Sequence, residues 1–180
     1  MSYKITAKRQ AMLDTINWCE GSPRYDQLFS YIPFDNLGPH PDVCIPFGNT
    51  CTTAAGRYQF LHSTWQDSIN NLGIEDLMIP ASQDQAALER IYHRGALGDV
   101  DMGNIEAAIE KLSYEWASLP PGQYGQPIKS MDQVLTYYYD RLDELDQKKI
   151  LGLDITLVLV ALAIVTMLVL GLIYVFKILK

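Results

Sequence analysis

An uncharged run near the C-terminus constrains this chain more than any other feature. Residues 155–176 form 22 consecutive positions without Asp, Glu, Lys or Arg, and Leu, Val and Ile dominate them. A helix that rises about 1.5 Å per residue would cover about 33 Å over this run, enough to cross a bilayer. A helix that is apolar on every side otherwise needs a protein shell, and the preceding residues are too few to supply one. The run therefore predicts one transmembrane helix.

The 180 residues leave room for one compact domain ahead of this run. We predict a catalytic domain over residues 1–147. A juxtamembrane linker and the transmembrane helix follow over residues 148–180, with the span at about 155–176. Lys177 and Lys180 follow the run and acidic residues precede it, which favours a cytoplasmic C-terminus. The N-terminal residues lack the apolar stretch of a secretory signal. The pattern predicts a single-pass membrane protein.

Charge and cysteine usage exclude several functional classes. The net charge is −7, and residues 148–180 hold four lysines and one aspartate, so the preceding domain carries −10. Such a domain is a poor partner for nucleic acid. The three cysteines lack CxxC spacing and the histidines lack HExxH spacing, so we expect no zinc site. Cys44 and Cys51 can form a loop disulfide in an oxidising compartment.

The first predicted helix places a carboxylate in an unusual position. Residues 9–20 carry apolar side chains at helical spacing, and Gly21 is placed to end the helix. Glu20 therefore lies at the helix C-terminus. The negative end of the helix dipole and nearby Trp18 both disfavour ionisation there. A raised pKa suits a proton donor.

The rest of the front domain is predicted to be mostly helical. Residues 22–53 are irregular and rich in Pro, Gly, Asn and Asp, which is typical of a functional loop and predicts a cleft wall. Ser-x-x-Gln capping boxes at Ser63, Ser82 and Ser130 predict three helix starts. A further helix is predicted over residues 104–118 from its single apolar face.

Five segments carry a resemblance to a known family. In chain order they read AMLDTINWCEGS, TAAGRYQF, SQDQAALERIYHRGAL, EWASLP and YGQ. Their order and spacing resemble the lambda-phage type of endolysin, a family of lysozyme-like lytic transglycosylases. The resemblance covers about residues 10–139 and ends before the uncharged run. It implies an α+β, mostly helical, lysozyme-like domain, to which the transmembrane helix is an addition.

The resemblance also implies a reaction. In the family the glutamate that ends the first helix is the catalytic acid, and Glu20 in WCEGS matches it. The implied reaction cleaves the β-1,4 bond between MurNAc and GlcNAc in peptidoglycan. The sugar's own C6 hydroxyl attacks and leaves a 1,6-anhydro end, so one enzyme carboxylate serves as acid and then as base, without metal or cofactor.

Substrate contacts follow from the same segments. Arg57, Tyr58 and Gln59 match the family's GRYQ segment, and Tyr124 and Gln126 match its YGQ loop. We expect these five side chains in the cleft that binds the glycan strand, because planar and aromatic groups suit sugar faces. The loops over residues 35–50 and 122–127 resemble the two lips that flank the family's groove.

Three other functions remain open at this point. Asp26 or Asp35 can supply the second carboxylate of a hydrolytic muramidase. Cys19 with one of the three histidines can indicate a cysteine peptidase or amidase, although a buried helical cysteine is usually inert. The chain can also be an inactive, membrane-anchored structural protein of a virion, because fold does not guarantee function.

The predicted anchor suggests two biological settings. The enzyme can belong to a lipid-containing virion and open the wall at infection, or it can be an endolysin held at the host inner membrane until lysis. Both settings imply a lipid bilayer as partner, and the first implies other virion membrane proteins as well. The sequence does not separate them.

Overall fold

A computed structural model describes residues 2–22, 24–34, 38–122 and 128–178. The chain divides into two compact units, Met1–Leu142 and Asp143–Lys180. The helices are α1 (Ala7–Glu20), α2 (His62–Leu72), α3 (Pro80–His93), α4 (Leu97–Met102), α5 (Ile105–Leu112) and α6 (Met131–Ile178), and the strands are β1 (Ile45–Phe47) and β2 (Thr50–Thr52). This content agrees with the predicted α+β, mostly helical class. The predicted catalytic domain, residues 1–147, contains the whole first unit, and its limits stay a prediction.

Helix α1 is fixed at both ends by local chemistry. The Thr6 hydroxyl accepts a hydrogen bond from the backbone N–H of Arg9 at 3.3 Å, which caps the start. Gly21 adopts φ 66°, in the left-handed region, and its N–H donates to the carbonyl of Asn17 at 2.9 Å. The predicted C-terminus at residue 20 is confirmed, and the helix starts two residues earlier than predicted. Glu20 therefore closes a rigid, well-capped helix.

The segment between α1 and α2 forms a small β lobe. Strands β1 and β2 pair antiparallel, with Ile45 opposite Thr52. Cys44 and Cys51 are joined by a disulfide across this hairpin, as the sequence allowed. A short 3₁₀ turn over Phe29–Tyr31 precedes the hairpin. The segment that the sequence left as irregular loop is thus partly ordered by strand pairing and a covalent link.

Helices α1 to α5 pack around one apolar core. Its largest fully buried side chains are Trp65, Tyr58, Tyr138, Met12, Leu13, Ile16, Met78, Leu88, Ile91, Ile105, Ile109 and Leu112. Each such side chain contributes about 1.5–3 kcal/mol when it is removed from water. The core therefore holds α1 firmly and fixes the position of its C-terminal end.

Only one of the three predicted capping boxes forms. At Ser130 the box is complete, because Gln133 N donates to the serine hydroxyl at 3.2 Å and Ser130 N donates to Gln133 Oε1 at 2.9 Å. Helix α3 instead begins at Pro80, whose fixed φ and missing N–H suit a first helical position. Helix α2 begins at His62, whose N–H donates to the Thr53 hydroxyl at 3.0 Å. Helix α5 also ends earlier than predicted, at Leu112.

The prediction of a membrane anchor is wrong. Within the described ranges 2–22, 24–34, 38–122 and 128–178, a search finds no helix that combines the length and the apolar character needed to cross a bilayer. Most side chains of the run 155–176 lie outside the described set. The bilayer and other virion membrane proteins therefore lose their support as partners.

Candidate active site

Glu20 carries a largely buried carboxyl group with one close hydrogen-bond donor. The hydroxyl of Ser118, in the turn after α5, donates to Glu20 Oε1 at 2.5 Å. Burial raises the pKa of Glu20 from 4.5 to about 7, and the Ser118 hydrogen bond and the positive charge of Lys129 partly oppose this rise. The sequence predicted a raised pKa from the helix dipole and Trp18, and burial is the largest cause. A carboxyl group with this pKa can both donate and accept a proton near neutral pH.

Two cavities meet at this carboxyl group. The first has a volume of about 290 Å³ and is lined by the end of α1 and the 3₁₀ turn, including Gly21, Leu28 and Tyr31. The second has a volume of about 240 Å³ and runs beneath the hairpin, along Phe47, Leu61 and Trp116. Glu20, Phe29 and Gln59 line both. A groove therefore passes over Glu20 and continues on either side of it.

An aromatic stack holds the last turn of α1 from behind. The indole of Trp18 stacks on the ring of Tyr137 with 4.4 Å between centroids and 3° between planes. Lys129 Nζ lies 4.4 Å from the centre of the Trp18 ring and donates to the Trp18 carbonyl at 3.1 Å. The lysine thereby satisfies an unpaired carbonyl at the helix C-terminus and brings a positive charge towards Glu20.

The structure places Gln59 in the groove beside Glu20. Gln59 sits at φ 50°, within a turn closed by the antiparallel bridge between Ala55 and Phe60. Its Nε2 donates to the Gly56 carbonyl at 2.8 Å. Gly56 itself has φ 78°, and a Cβ there would lie 2.8 Å from Met78 Cε, so this turn requires glycine. The turn therefore fixes Gln59 in the groove wall, while its contact with substrate stays a prediction.

Tyr58 lies behind the groove, and its burial corrects its predicted substrate contact, while the predicted contact of Arg57 stays a prediction. Tyr58 has 0% exposure and its hydroxyl donates to Asp84 Oδ1 at 2.6 Å. Arg57 Nη2 donates to Asp14 Oδ1 at 2.9 Å, and its guanidinium lies 5.2 Å from the centre of the Tyr25 ring. Neither residue lines the two cavities at Glu20. They support the Gln59 turn through the core.

Parts of the predicted lips lie outside the described residues. Tyr124 and Gln126 belong to the segment 123–127, which is not described, so their predicted roles stay predictions. The predicted lip over residues 35–50 is described from residue 38 onwards. It contributes Phe47 to the second cavity, and Phe47 packs edge-on against Phe29 with 5.3 Å between centroids.

The other described carboxylates near the groove form ion pairs with arginines. Glu115 lines the second cavity, but its oxygens accept hydrogen bonds from Arg90 Nε at 2.9 Å and Arg94 Nε at 2.7 Å. Asp26 is paired with Arg24, whose hydrogen bond lowers the pKa of that carboxyl, and it lines neither cavity. Asp35 lies outside the described residues. Glu20 is thus the one carboxyl among the described lining residues without a cationic hydrogen-bond partner.

The cysteine and histidine alternatives find no geometric support. Burial raises the pKa of the Cys19 thiol to about 12, which keeps it protonated and unreactive. His40 is buried and its Nε2 lies 2.9 Å from the Phe60 carbonyl. In the part of the chain that the structure describes, no group of three or more His, Cys, Asp or Glu is arranged to hold a metal ion.

Sequence reasoning missed three residues that shape the site. Ser118 lies in the quoted EWASLP segment, but nothing in that segment shows that its hydroxyl meets a residue 98 positions away. Gln27 and Lys129 lie in segments with no recognisable motif. All three reach the site through tertiary packing, which one sequence does not reveal.

Comparison with known proteins places the chain among phage enzymes. A family model described as Endolysin matches residues 10–144. The endolysin of Escherichia phage lambda is 34% identical over 145 residues, which cover 75% of this chain and 91% of that protein. The endolysin of Escherichia phage P2 is 41% identical over 87 residues, which cover 48% of this chain and 52% of that protein.

Known structures give the same result for the fold. Bacteriophage lambda lysozyme in complex with a chitohexasaccharide superposes with a TM-score of 0.73 at 33% identity, covering 77% of this chain and 96% of that one. Another structure of lysozyme from bacteriophage lambda gives a TM-score of 0.67 at 30% identity, covering 79% and 96%. The chain therefore has a lambda-lysozyme-like fold, mostly helical with a small sheet.

Proposed function

The chain belongs to the endolysin family, and from this premise we propose that it is a lytic transglycosylase in which Glu20 is the catalytic acid and base. The protein degrades peptidoglycan as a lysozyme-like glycosidase, the activity common to the proteins that it matches. The specific bond is the β-1,4 linkage between MurNAc and GlcNAc. The product is a strand with a 1,6-anhydro end.

The observation that carries the proposal is the position of Glu20 at the junction of two cavities. A polymer lying in such a groove extends on both sides of the carboxyl group, which is the arrangement that cleavage within a chain requires. A pKa raised to about 7 supplies a proton donor at neutral pH and a usable base after the proton has left. The lambda lysozyme to which the chain is similar binds a chitohexasaccharide, a polymer of this shape.

The neutralised neighbours favour a mechanism with one carboxylate. Hydrolysis by a pair of carboxylates needs a second free group that acts as nucleophile or activates water across the bond. Glu115, the other carboxylate among the described lining residues, is bound to Arg90 and Arg94. The sugar's C6 hydroxyl then serves as the nucleophile in place of water.

The proposed steps conserve atoms and protons. Glu20 donates its proton to the oxygen that leaves C1, and the bond between C1 and that oxygen breaks. The ionised carboxylate, stabilised by the Ser118 hydroxyl and the Lys129 charge, accepts the proton of the C6 hydroxyl. The C6 oxygen bonds to C1, and Glu20 regains the proton with which it began. No metal or cofactor takes part.

Product analysis in labelled water tests the reaction type. The full-length protein is incubated with isolated peptidoglycan in H₂¹⁸O, and the released ends are identified by mass spectrometry. Transglycosylation gives unlabelled anhydro ends, because the acceptor oxygen comes from the sugar. Reducing ends that carry ¹⁸O would show that water is the acceptor and would establish the hydrolytic muramidase instead.

Two variants separate the role of Glu20 from a general effect of removing a carboxylate. Glu20→Gln keeps the side-chain shape but cannot donate the acid proton, so the released ends should disappear. Glu110→Gln removes an exposed carboxylate from α5 and serves as the matched control, with unchanged products. Near-normal cleavage by folded Glu20→Gln would refute the assignment, and intact glycan with the unmodified protein would favour the inactive structural alternative.

A further inference from the structure

Cys44 and Cys51 enclose a part of the chain that walls the second cavity. Their disulfide joins the two sides of the β1–β2 hairpin. Phe47 lies between the two cysteines and Thr52 follows Cys51, and both line the cavity of about 240 Å³ that also contains Glu20. The covalent link therefore closes a short loop that carries part of the groove wall. The proposed reaction makes no use of this link.

The hairpin has little burial of its own to hold it closed. Each strand has three residues, and none of the six is buried. Phe47 packs edge-on against Phe29 with 5.3 Å between ring centroids, yet its side chain remains 51% exposed. A two-stranded hairpin of this size is at best marginally stable in water. The disulfide therefore supplies much of the constraint on the shape of the hairpin.

The two bonded cysteines are accessible, whereas the third cysteine is not. Cys44 and Cys51 are both exposed residues, and an exposed disulfide is open to attack by a thiolate. Cys19 is 9% exposed, and burial raises the pKa of its thiol to about 12, so it stays protonated at neutral pH. Of the three cysteines, Cys44 and Cys51 are thus the pair that can exchange with external thiols.

We propose that the Cys44–Cys51 disulfide is a redox switch that sets the affinity of the groove for its glycan. In the oxidised form the hairpin holds Phe47 and Thr52 in the wall of the second cavity before the substrate arrives. In the reduced form the hairpin is free to open, and these two side chains have to be ordered when the glycan binds. The inference rests on the proposed action on a glycan strand in this groove.

Thiol–disulfide exchange with a dithiol reductant of the thioredoxin type operates the switch. One thiolate of the reductant attacks a sulfur of the disulfide, forms a mixed disulfide and releases the other cysteine as a thiolate. The second thiolate of the reductant then attacks the mixed disulfide and releases the remaining cysteine. Two electrons and two protons pass from the dithiol to Cys44 and Cys51, and the reductant becomes a disulfide. A disulfide oxidant reverses the exchange, so the groove binds more tightly in an oxidising compartment.

Binding of chitohexaose by the two redox forms tests the inference. Its dissociation constant is measured by equilibrium dialysis for the full-length protein as the disulfide and after reduction with dithiothreitol. Alkylation followed by mass spectrometry counts the free thiols in each form. We expect the reduced form to bind about tenfold more weakly, the effect of ordering two side chains on binding. Reoxidation with oxidised glutathione should restore the original dissociation constant, which separates the switch from irreversible misfolding.

Two variants assign the effect to this cysteine pair. The double variant Cys44→Ser with Cys51→Ser cannot form the disulfide, so it should bind as weakly as the reduced protein and should not respond to reductant. Cys19→Ala removes the buried cysteine and should keep the tenfold difference between its oxidised and reduced forms. Far-UV circular dichroism of each protein checks that its helices are retained.

Two outcomes would overturn the inference. Equal affinity of the oxidised and reduced forms for chitohexaose would show that the hairpin keeps its shape without the disulfide. A response to reductant that persists in the double serine variant would place the effect elsewhere in the chain. Because binding needs no turnover, either result leaves the assignment of Glu20 to be judged separately by its products.

Discussion

Glu20 and Glu115 line the same cavity, but their carboxyl groups have different hydrogen-bond partners. Glu20 receives one hydroxyl hydrogen bond, and burial raises its pKa to about 7. The Glu115 side chain is 7% exposed and accepts hydrogen bonds from two guanidinium groups, those of Arg90 and Arg94. The comparison teaches that the cationic partner, more than burial, decides whether a buried carboxyl group becomes a proton donor or a structural anion.

Removing the proton donor should have the largest effect on activity. Glu20→Gln is expected to lower kcat on peptidoglycan by about 10²- to 10⁴-fold, the usual contribution of general acid–base catalysis. Turnover is measured as the rate of soluble muropeptide release at saturating peptidoglycan. A residual rate above about a tenth of the original would place the acid elsewhere, since general acid–base catalysis contributes at least about 10²-fold.

The stability of Glu20→Gln relative to the unmodified protein should rise with pH. The folded-state pKa of Glu20 lies above its ordinary value of 4.5, so the folded protein binds the proton more tightly than the unfolded chain does. The contribution of Glu20 to the free energy of unfolding is therefore fully present below about pH 4.5 and is lost as the pH rises to about 7. Above pH 7, Glu20→Gln should be more stable than the unmodified protein by up to about 3 kcal/mol in urea unfolding. If the difference in the free energy of unfolding between the two proteins were the same at pH 4 and pH 8, that result would contradict the raised pKa.

Removing the structural anion should affect stability first. Glu115→Gln leaves the largely buried guanidinium of Arg90 with only its longer ion pair, to Glu89 at 3.8 Å, and the expected loss in the free energy of unfolding is about 3 kcal/mol. The folded fraction should still release the same product ends. Asp101→Asn breaks the more exposed pair with Arg9 and is the control, with a loss below about 1 kcal/mol. An abolished reaction in well-folded Glu115→Gln would make Glu115 a second catalytic group.

Ser118→Ala tests the hydroxyl that favours the ionised form of Glu20. Removal of this hydrogen bond should raise the pKa of Glu20 further. Because the reaction begins with protonated Glu20, activity falls as the pH rises through that pKa, so the alkaline limb of the kcat/KM profile should move to higher pH. Ser118→Thr retains the hydroxyl and should keep the original limb. A shift of the limb towards lower pH would reverse the assigned role.

Lys129→Met should move the same limb in the same direction and by less, since its charge is the smaller of the two effects that lower the pKa of Glu20. Indole fluorescence of Trp18 reports separately whether its stack on Tyr137 is retained in the variant. Lys129→Arg retains the charge and should restore the pH profile. An unchanged profile for Lys129→Met would mean that Lys129 only caps the carbonyl of Trp18.

The sequence predicted the parts of the site that depend on local chemistry. The end of α1 was predictable because Gly21 alone supplies the left-handed residue that closes the helix. The Ser130 box was predictable for the same reason, since its two hydrogen bonds join residues three apart. Helices α2 and α3 start earlier than predicted, because Thr53 caps one from a distance and Pro80 begins the other. Local motifs fail where a distant side chain offers a better partner.

Two predictions failed because they assigned a role from residue type. Tyr58 matches a segment expected to bind substrate, yet its ring is fully buried and its hydroxyl bonds Asp84. The uncharged run predicted a membrane anchor, but no helix able to cross a bilayer is found in the described part of the chain. Aromatic side chains and apolar runs are poorly solvated by water, whether a protein core, a bound ligand or a bilayer covers them. Composition alone therefore does not decide which of these covers a given side chain or run.

By itself the sequence determined the family, the mostly helical fold class and the carboxyl group at the end of the first helix, because these depend on short-range patterns and on matched segments. Tertiary structure alone decided which carboxyl group has a raised pKa and which is paired with arginines. Ser118, Arg90 and Arg94 approach Glu20 and Glu115 from 98, 25 and 21 residues away. A pKa depends on burial and on charges within a few ångströms, and only the packed core brings those groups together.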